Sequence, residues 1–242
     1  MAKIYENISV TLDGAADDIA NLLKEYESSL SKKSVSAKAS NLTHRICVEL
    51  RNTLDRIAYR YWNLKIAPSL SDVDRESASS RIYFPAGGKQ QSMDATLGAW
   101  GWSSVGANHQ PLFDYLLSQQ PFTSPDNKWL SILYDLSKQG KHIDLVPQKR
   151  FEEHKITVSA PGGGSVTWGP GVTFGSGVSI MGAPVDPRTQ RIVPTPGVTE
   201  KIETWVNFLI DGHNVNAMGF CKEAHLKTRK IIQEMTDKFG LS

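Results

Sequence analysis

Residues 42–57 read LTHRICVELRNTLDRI, and this segment decides the fold of the chain. Its apolar residues recur at spacings of three and four, and the same stripe continues beyond the segment: Leu42, Ile46, Leu50, Leu54, Ile57, Tyr61 and Leu64. This spacing predicts one amphipathic helix over residues 36–63. No glycine or proline interrupts it, and it is long for a globular protein.

The sequence on both sides of this segment predicts further helices and extended segments. Residues 3–12 predict a strand, because Ile8, Val10 and Leu12 alternate with other residues. Asp13 is then the expected cap of a first helix that runs to about residue 30. Residues 66–81 predict a loop, and 81–85 a short extended segment. Shorter helices are expected at 90–99, 110–119 and 126–140, the last capped by Asp126.

The pattern changes between residues 151 and 196, where glycine and proline clusters separate short β-type runs. Val166/Trp168, Val172/Phe174 and Val178/Ile180 are period-two pairs, residues 162–164 predict a hairpin turn, and 202–210 predict a further strand. Helical spacing returns at 214–239. The expected fold is α+β, a helical bundle with an inserted antiparallel β-meander. It forms a single domain over 1–242, with a helical core at about 13–145 and 214–242 and an insert at about 151–212.

Composition excludes several classes of protein. The chain has 242 residues, 40% hydrophobic and 21% charged, with 27 basic and 25 acidic side chains. A net charge of +2 creates no general attraction for nucleic acid, so binding would need a local cluster of basic residues. No apolar run predicts a membrane span. The histidines lack metal-ligand spacing and the two cysteines form no CxxC pair, so we expect no metal, no cofactor and a cytoplasmic location.

The polar side of the 36–63 helix carries two stripes. Arg45, Glu49, Asn52 and Arg56 form the outer one. The second lies nearer the core boundary and comprises His44, Val48, Arg51, Asp55 and Trp62. One interpretation is a solvated helix with ion pairs such as Arg51–Asp55. The alternative is that this face packs against the β insert or a second subunit, since Val48 and Trp62 are apolar.

The run Leu50-Arg51-Asn52-Thr53-Leu54-Asp55-Arg56 resembles the signature helix of the HEPN superfamily, whose active members carry Arg-Asn-x-x-x-His or close variants. Over roughly 40–240 the chain is similar to a group of bacterial proteins that share this helix. The other shared motifs are Phe84-Pro85, Gln120-Pro121-Phe122 and Lys141-His142.

This resemblance implies metal-independent RNA cleavage at a dimer interface in active members. The arginine stabilises the charged phosphorane, the histidine transfers protons, and the RNA 2′-hydroxyl attacks. Arg51 and Asn52 match the motif, but Arg56 stands in the histidine position. Arginine holds its proton at physiological pH, so the matched site is expected to be inactive unless His142 supplies the proton transfer.

Three hypotheses remain open. In the first, the protein binds RNA or a nucleotide without normal ribonuclease activity, in phage defence or a toxin–antitoxin pair. It forms a homodimer through the 36–63 helix. Its binding residues are Arg45, Arg51, Asn52, Arg56 and Lys141. In the second, the protein is an endoribonuclease that uses Arg51 and His142. In the third, it is a protein-interaction module without a ligand site.

Overall fold

A computed structural model describes residues 2–32, 36–139, 148–169 and 171–241. Within these ranges the fold is α+β, as predicted. The helices are α1 (Ala2–Lys32), α2 (Ala37–Tyr61), α3 (Asp72–Ser79), α4 (Gln90–Ala99), α5 (Trp102–Val105), α6 (Gln110–Ser118), α7 (Lys128–Gln139) and α8 (Ala217–Phe239). The strands are β1 (Gln148–Ser159), β2 (Ser165–Trp168), β3 (Ser179–Ile180), β4 (Ala183–Asp186), β5 (Arg191–Ile192), β6 (Thr199–Ile210) and β7 (Val215–Asn216).

The long helix predicted at 36–63 is confirmed as α2, which packs against α1, α7 and α8. Ser36 caps it, because its hydroxyl oxygen accepts a hydrogen bond from the N–H of Ala39 at 3.0 Å. Ile46, Leu50 and Leu54 of its apolar stripe are completely buried. Burial of a side chain of this size stabilises the fold by about 1.5–3 kcal/mol. The apolar stripe therefore makes α2 the central element of the bundle.

The strand predicted at residues 3–12 is wrong, because this segment belongs to helix α1. Ile8 and Leu12 are 1% and 5% exposed, whereas Val10 between them is 64% exposed. Ile8 and Leu12 are four residues apart, and Ala15 and Leu22 continue the same buried stripe. Ile8 and Leu12 fit both periods, and only the continuation of their stripe favours the helix.

The two predicted helix caps are also corrected. Asp13 lies inside α1 and accepts a hydrogen bond from Nη2 of Arg229 at 3.3 Å. Asp126 does not cap α7, because a short 3₁₀ turn, Pro125–Asn127, precedes that helix. Ser124 caps this turn through a 3.3 Å hydrogen bond from the N–H of Asp126. A proline suits the first helical turn, so the helical geometry starts before the predicted cap.

The loop predicted at 66–81 contains helix α3, so that prediction is partly wrong. Ser71 is its cap and accepts a hydrogen bond from the N–H of Asp74 at 3.1 Å. Asp72 and Asp74 lie in the first turn, where negative charge interacts favourably with the helix dipole. Of the residues in this short helix only Ala78 is buried, and so the sequence shows no apolar stripe to reveal it.

The extended segment around residues 83–85 is held between two helices. The buried side-chain amide of Gln120 donates hydrogen bonds to the carbonyl oxygens of Pro85 and Leu116, at 3.0 and 2.9 Å. The indole N–H of Trp100 donates to the carbonyl oxygen of Tyr83 at 3.2 Å. These bonds satisfy backbone groups that an isolated extended segment cannot pair. They also position one wall of the cleft described below.

The β insert is built on a long antiparallel pair. β1 and β6 pair over twelve positions, from Gln148↔Ile210 to Ser159↔Thr199. One sheet has the order β2-β1-β6-β7 and the other the order β3-β4-β5. The turn predicted at 162–164 joins β1 to β2, and Gly162 adopts a φ of 112°, which favours glycine. The strand predicted at 202–210 is confirmed as part of β6.

The two ends of the β1–β6 pair belong to different hydrophobic cores. Phe208 and Ile210 are buried in the main core with the helices. At the far end a smaller core contains Val158 and Trp168. The predicted strand pair Val172/Phe174 lies outside the strands, and the Phe174 ring packs on Trp168 with centroids 5.2 Å apart. The insert therefore stabilises its distal part with its own core.

Tyr26 joins α1 to both the insert and the last helix. Its hydroxyl donates to the carbonyl oxygen of Phe208 at 3.4 Å and accepts from the N–H of Met218 at 3.1 Å. Met218 lies in the first turn of α8, where N–H groups lack partners within the helix. Burial raises the pKa of the Tyr26 hydroxyl well above its usual value, so this group stays neutral.

None of the helices in the described ranges is both long enough and apolar enough to cross a membrane.

We predict that Tyr26→Phe lowers the free energy of unfolding by about 1–2 kcal/mol, because two buried backbone groups lose their shared partner. Urea denaturation measures this change. Tyr59→Phe is the matched control, since Tyr59 is 37% exposed, and its effect should stay within about 0.5 kcal/mol. Equal effects of the two substitutions would contradict the role of Tyr26 as a junction.

Candidate functional site

A cleft lies where α2 meets α4, α7 and the segment 83–88, and its volume is about 630 Å³. Sites for small molecules commonly measure about 300–1,000 Å³. Helix α2 contributes Arg51, Asn52 and Asp55, and α7 contributes Tyr134 and Lys138. The cleft therefore combines charged, amide and aromatic groups on one concave surface.

Arg51 is the buried cation of the cleft, with only 7% of the residue exposed. Its Nη2 lies 3.0 Å from Oδ1 of Asp55, one turn later in α2. The same carboxylate oxygen accepts a hydrogen bond from the N–H of Phe84 at 2.7 Å. Nη1 of Arg51 is buried and has no hydrogen-bond partner among the described residues. An unpaired buried donor is costly, so an acceptor that reaches Nη1 would be bound favourably.

Tyr134 carries two cationic groups on its ring. The guanidinium carbon of Arg51 lies 4.9 Å from the ring centroid, and Nζ of Lys138 lies 3.8 Å from it. Both distances fall within the range of a cation–π contact. Lys138 forms no ion pair with another described residue. The ring therefore holds a second positive charge close to the buried arginine.

The opposite wall contains Gly87 and Gly88 at the start of α4. A Cβ atom at Gly87 would lie 2.3 Å from Cβ of Ser92, so only glycine allows this close approach. Lys89 occupies the cap position of α4, and no side chain caps the helix there. The first N–H groups of an uncapped helix carry partial positive charge. Gly87 and Gly88 thus line the cleft without side chains of their own.

The cleft is not uniformly basic. Asp55 compensates the charge of Arg51 through an ion pair and accepts a hydrogen bond from the N–H of Phe84. Asp135 also lines the cleft and is exposed, where solvent and salt screen its charge. The charge of Arg51 is screened much less, because it is buried. A ligand deep in the cleft would therefore experience the cations more strongly than the exposed carboxylate.

The residues predicted from the outer stripe of α2 make different contacts. Asn52 is exposed and lines the cleft beside Arg51. Arg45 forms an ion pair with the buried Asp18 of α1. Arg56 donates a hydrogen bond from Nη1 to Oγ1 of Thr11, also in α1, at 2.6 Å. The three predicted arginines therefore do not converge on one groove.

Glu49, also in α2, is an acidic side chain whose pKa is changed by packing. Its Oε2 is buried without a hydrogen-bond partner among the described residues. Burial raises the pKa of this carboxyl, and the nearby charge of Asp18 raises it further. Arg45 opposes the shift. The α1–α2 side of the helix is thus a packed polar interface.

Lys141 and His142 lie outside the described residues, so their relation to the cleft stays a prediction. Among the residues that are described, no group of three or more His, Cys, Asp or Glu side chains could hold a metal ion.

Tyr134 and Lys138 are residues of the cleft that the sequence did not indicate. Tyr134 and Lys138 belong to the helix predicted at 126–140, and they are four residues apart, so they share one face. That spacing indicates a common face, but it does not indicate what the face meets. Gly87 and Gly88 were predicted only as the end of the extended segment.

Comparisons of the chain with protein-family models, curated proteins and solved structures found no match.

We predict that Asp55→Ala destabilises the protein by about 3 kcal/mol, because the buried Arg51 loses its counter-charge. The N–H of Phe84 loses its acceptor as well. Asp55→Asn should cost less, since its amide oxygen still accepts from Phe84. Chemical denaturation measures both. Asp135→Ala, the matched control in the same cleft, should change the unfolding free energy by no more than about 0.5 kcal/mol; similar losses at both positions would contradict the prediction.

Proposed function

We propose that the protein binds RNA or a nucleotide through the Arg51 cleft and lacks the normal ribonuclease chemistry of the family that it resembles. The observation that carries this proposal is the buried Arg51 guanidinium, whose Nη1 has no hydrogen-bond partner among the described residues. RNA and nucleotides share a phosphate and an aromatic base, and the cleft offers a contact for each.

The phosphate contact follows from the chemistry of arginine. Phosphate oxygens accept charge-assisted hydrogen bonds, which are about twice as strong as neutral ones. Nη2 of Arg51 pairs with Asp55, whereas the buried Nη1 has no hydrogen-bond partner among the described residues. Lys138 adds a second positive charge at the same ring of Tyr134. An entering phosphate would then relieve the unpaired donor.

The base contact follows from the aromatic residues of the cleft. Tyr83 lines it and is 52% exposed, which is a large exposed area for an aromatic side chain. Stacking of a base on such a ring contributes about 1–3 kcal/mol and tolerates any base. Asn52, also exposed at the cleft, carries an amide that can donate and accept hydrogen bonds.

The absence of normal cleavage chemistry follows from Arg56. It occupies the position at which active members of the HEPN superfamily, which the helix resembles, carry histidine. Its guanidinium donates a hydrogen bond to Thr11 in α1. Arginine cannot exchange a proton near neutral pH, so it cannot act as general acid or base. Binding without turnover is therefore the activity that the residues support best.

The remaining parts of the proposal rest on the resemblance. They are a homodimer through α2, a cytoplasmic location and a setting in phage defence or a toxin–antitoxin pair. The outward residues of α2 available for such a dimer form a narrow exposed stripe: Asn41, Arg45, Asn52, Arg56 and Tyr59.

We predict that Arg51→Ala weakens the binding of a single-stranded oligoribonucleotide at least about tenfold, because a charged hydrogen bond contributes about 1.5–3 kcal/mol. Filter binding at a stated low salt concentration measures this. Arg188→Ala removes an exposed arginine of the β insert and is the matched control. Arg51→Lys should show an intermediate loss and guards against misfolding of the alanine variant. A folded protein that retains no RNA would instead support a protein-interaction module.

We further predict that the native protein does not cleave the same RNA, with or without EDTA, because no histidine stands at position 56. Gel analysis of labelled RNA after prolonged incubation checks this. Cleavage that persists in EDTA and is lost in both Arg51→Ala and His142→Ala would overturn the prediction, and would establish a ribonuclease in which His142 supplies the proton transfer.

A further inference from the structure

We infer that the cleft receives a terminal phosphate, either of a free nucleotide or of an RNA end, and not a phosphodiester within a strand. This inference rests on the proposed function and specifies its ligand class. It depends on three features of the cleft: the depth of Arg51, the size of the cavity and the construction of the wall at Gly87.

The depth of Arg51 limits which phosphates can reach it. The residue is 7% exposed, and both Tyr134 and Asp55 pack against its guanidinium. A phosphodiester inside a strand has a sugar on both sides, so it meets side chains that project from a surface. A terminal phosphate has one side free of sugar and can enter a recess. A buried guanidinium therefore favours a terminal phosphate over a phosphodiester within a strand.

The size of the cavity leads to the same class of ligand. A volume of about 630 Å³ fits the range for small-molecule sites. Proteins that bind single strands without sequence preference instead use grooves that follow several nucleotides. The basic residues that could extend such a groove along α2, Arg45 and Arg56, contact α1 instead. One nucleotide therefore fits better than a strand.

The wall at Gly87 and Gly88 favours the phosphate end of that nucleotide. These residues line the cleft directly before α4, a ten-residue helix without a side-chain cap. Backbone N–H groups at a helix start are suitable donors for phosphate oxygens. A phosphomonoester carries a charge of about −1.5 to −2 near pH 7, more than the single charge of a diester. Among the described residues that line the cleft, Arg51 and Lys138 supply the positive charge.

The test compares one labelled oligoribonucleotide in three forms: with a 5′-phosphate, with a 3′-phosphate, and with hydroxyls at both ends. We expect one phosphorylated form to bind at least tenfold more tightly than the hydroxyl form. In Arg51→Ala this preference should disappear. AMP carrying the phosphate at the preferred position should compete for binding, whereas adenosine should not.

A variant pair tests the wall independently of the arginine. Gly87→Ala should reduce the preference for the phosphorylated end, because its Cβ displaces Ser92 and the start of α4. Gly87→Ala combined with Ser92→Gly removes the clash and should restore the preference. Gly98→Ala, later in the same helix, is the matched control, because a Cβ there meets nothing within 4 Å.

The outcomes separate the inference from the proposed function. If all three oligoribonucleotides bind equally and Arg51→Ala weakens all of them, the protein binds RNA but the terminal-phosphate inference is wrong. If neither the oligoribonucleotides nor the mononucleotide binds to folded protein, both the inference and the proposed function fail. A preference that survives in Arg51→Ala would also overturn the assignment to this cleft.

Discussion

One carboxylate joins the core of this protein to its candidate site. Oδ1 of Asp55 forms an ion pair with the guanidinium of Arg51, within α2, and accepts a hydrogen bond from the backbone N–H of Phe84, in the neighbouring segment. The first contact keeps a cation in a buried position where it would otherwise lack compensation. The second holds the 83–88 segment against α2. A single acidic side chain therefore contacts both the buried cation and the segment that forms one wall of the cleft.

This constraint also explains why the cleft has a cation but is not a basic groove. Residues follow one another by about 100° around a helix, so Arg45 and Arg56 lie about 20° apart, whereas Arg51 points to a different side. Arg45 and Arg56 consequently contact α1, and Arg51 contacts α7 through Tyr134. A helix packed against α1, α7 and α8 divides its arginines between interfaces. The proposed ligand class, one nucleotide unit, is consistent with that division.

The elements that were predicted correctly carry long, unambiguous periods. α2 has six apolar residues at helical spacing, and β6 has a β-branched or aromatic residue at every second position from 202 to 210. The predicted strand at 3–12 had only three alternating residues, and two of them also suit a helix. Helix α3 was missed because only one of its residues is buried, so its sequence carries no stripe. Local pattern therefore predicts elements that bury a face and fails for those that do not.

The α+β class, the central helix, the position of the β insert and the pairing of Arg51 with Asp55 could be predicted from the sequence. These features follow from periodicity and from spacing along one helix, which are local properties. Only the tertiary structure decided that Tyr134, Lys138 and Gly87 meet Arg51, and that Arg45 and Arg56 do not. Contacts between elements depend on how each helix is rotated in the bundle. That rotation is set by packing of the whole core, which no single segment encodes.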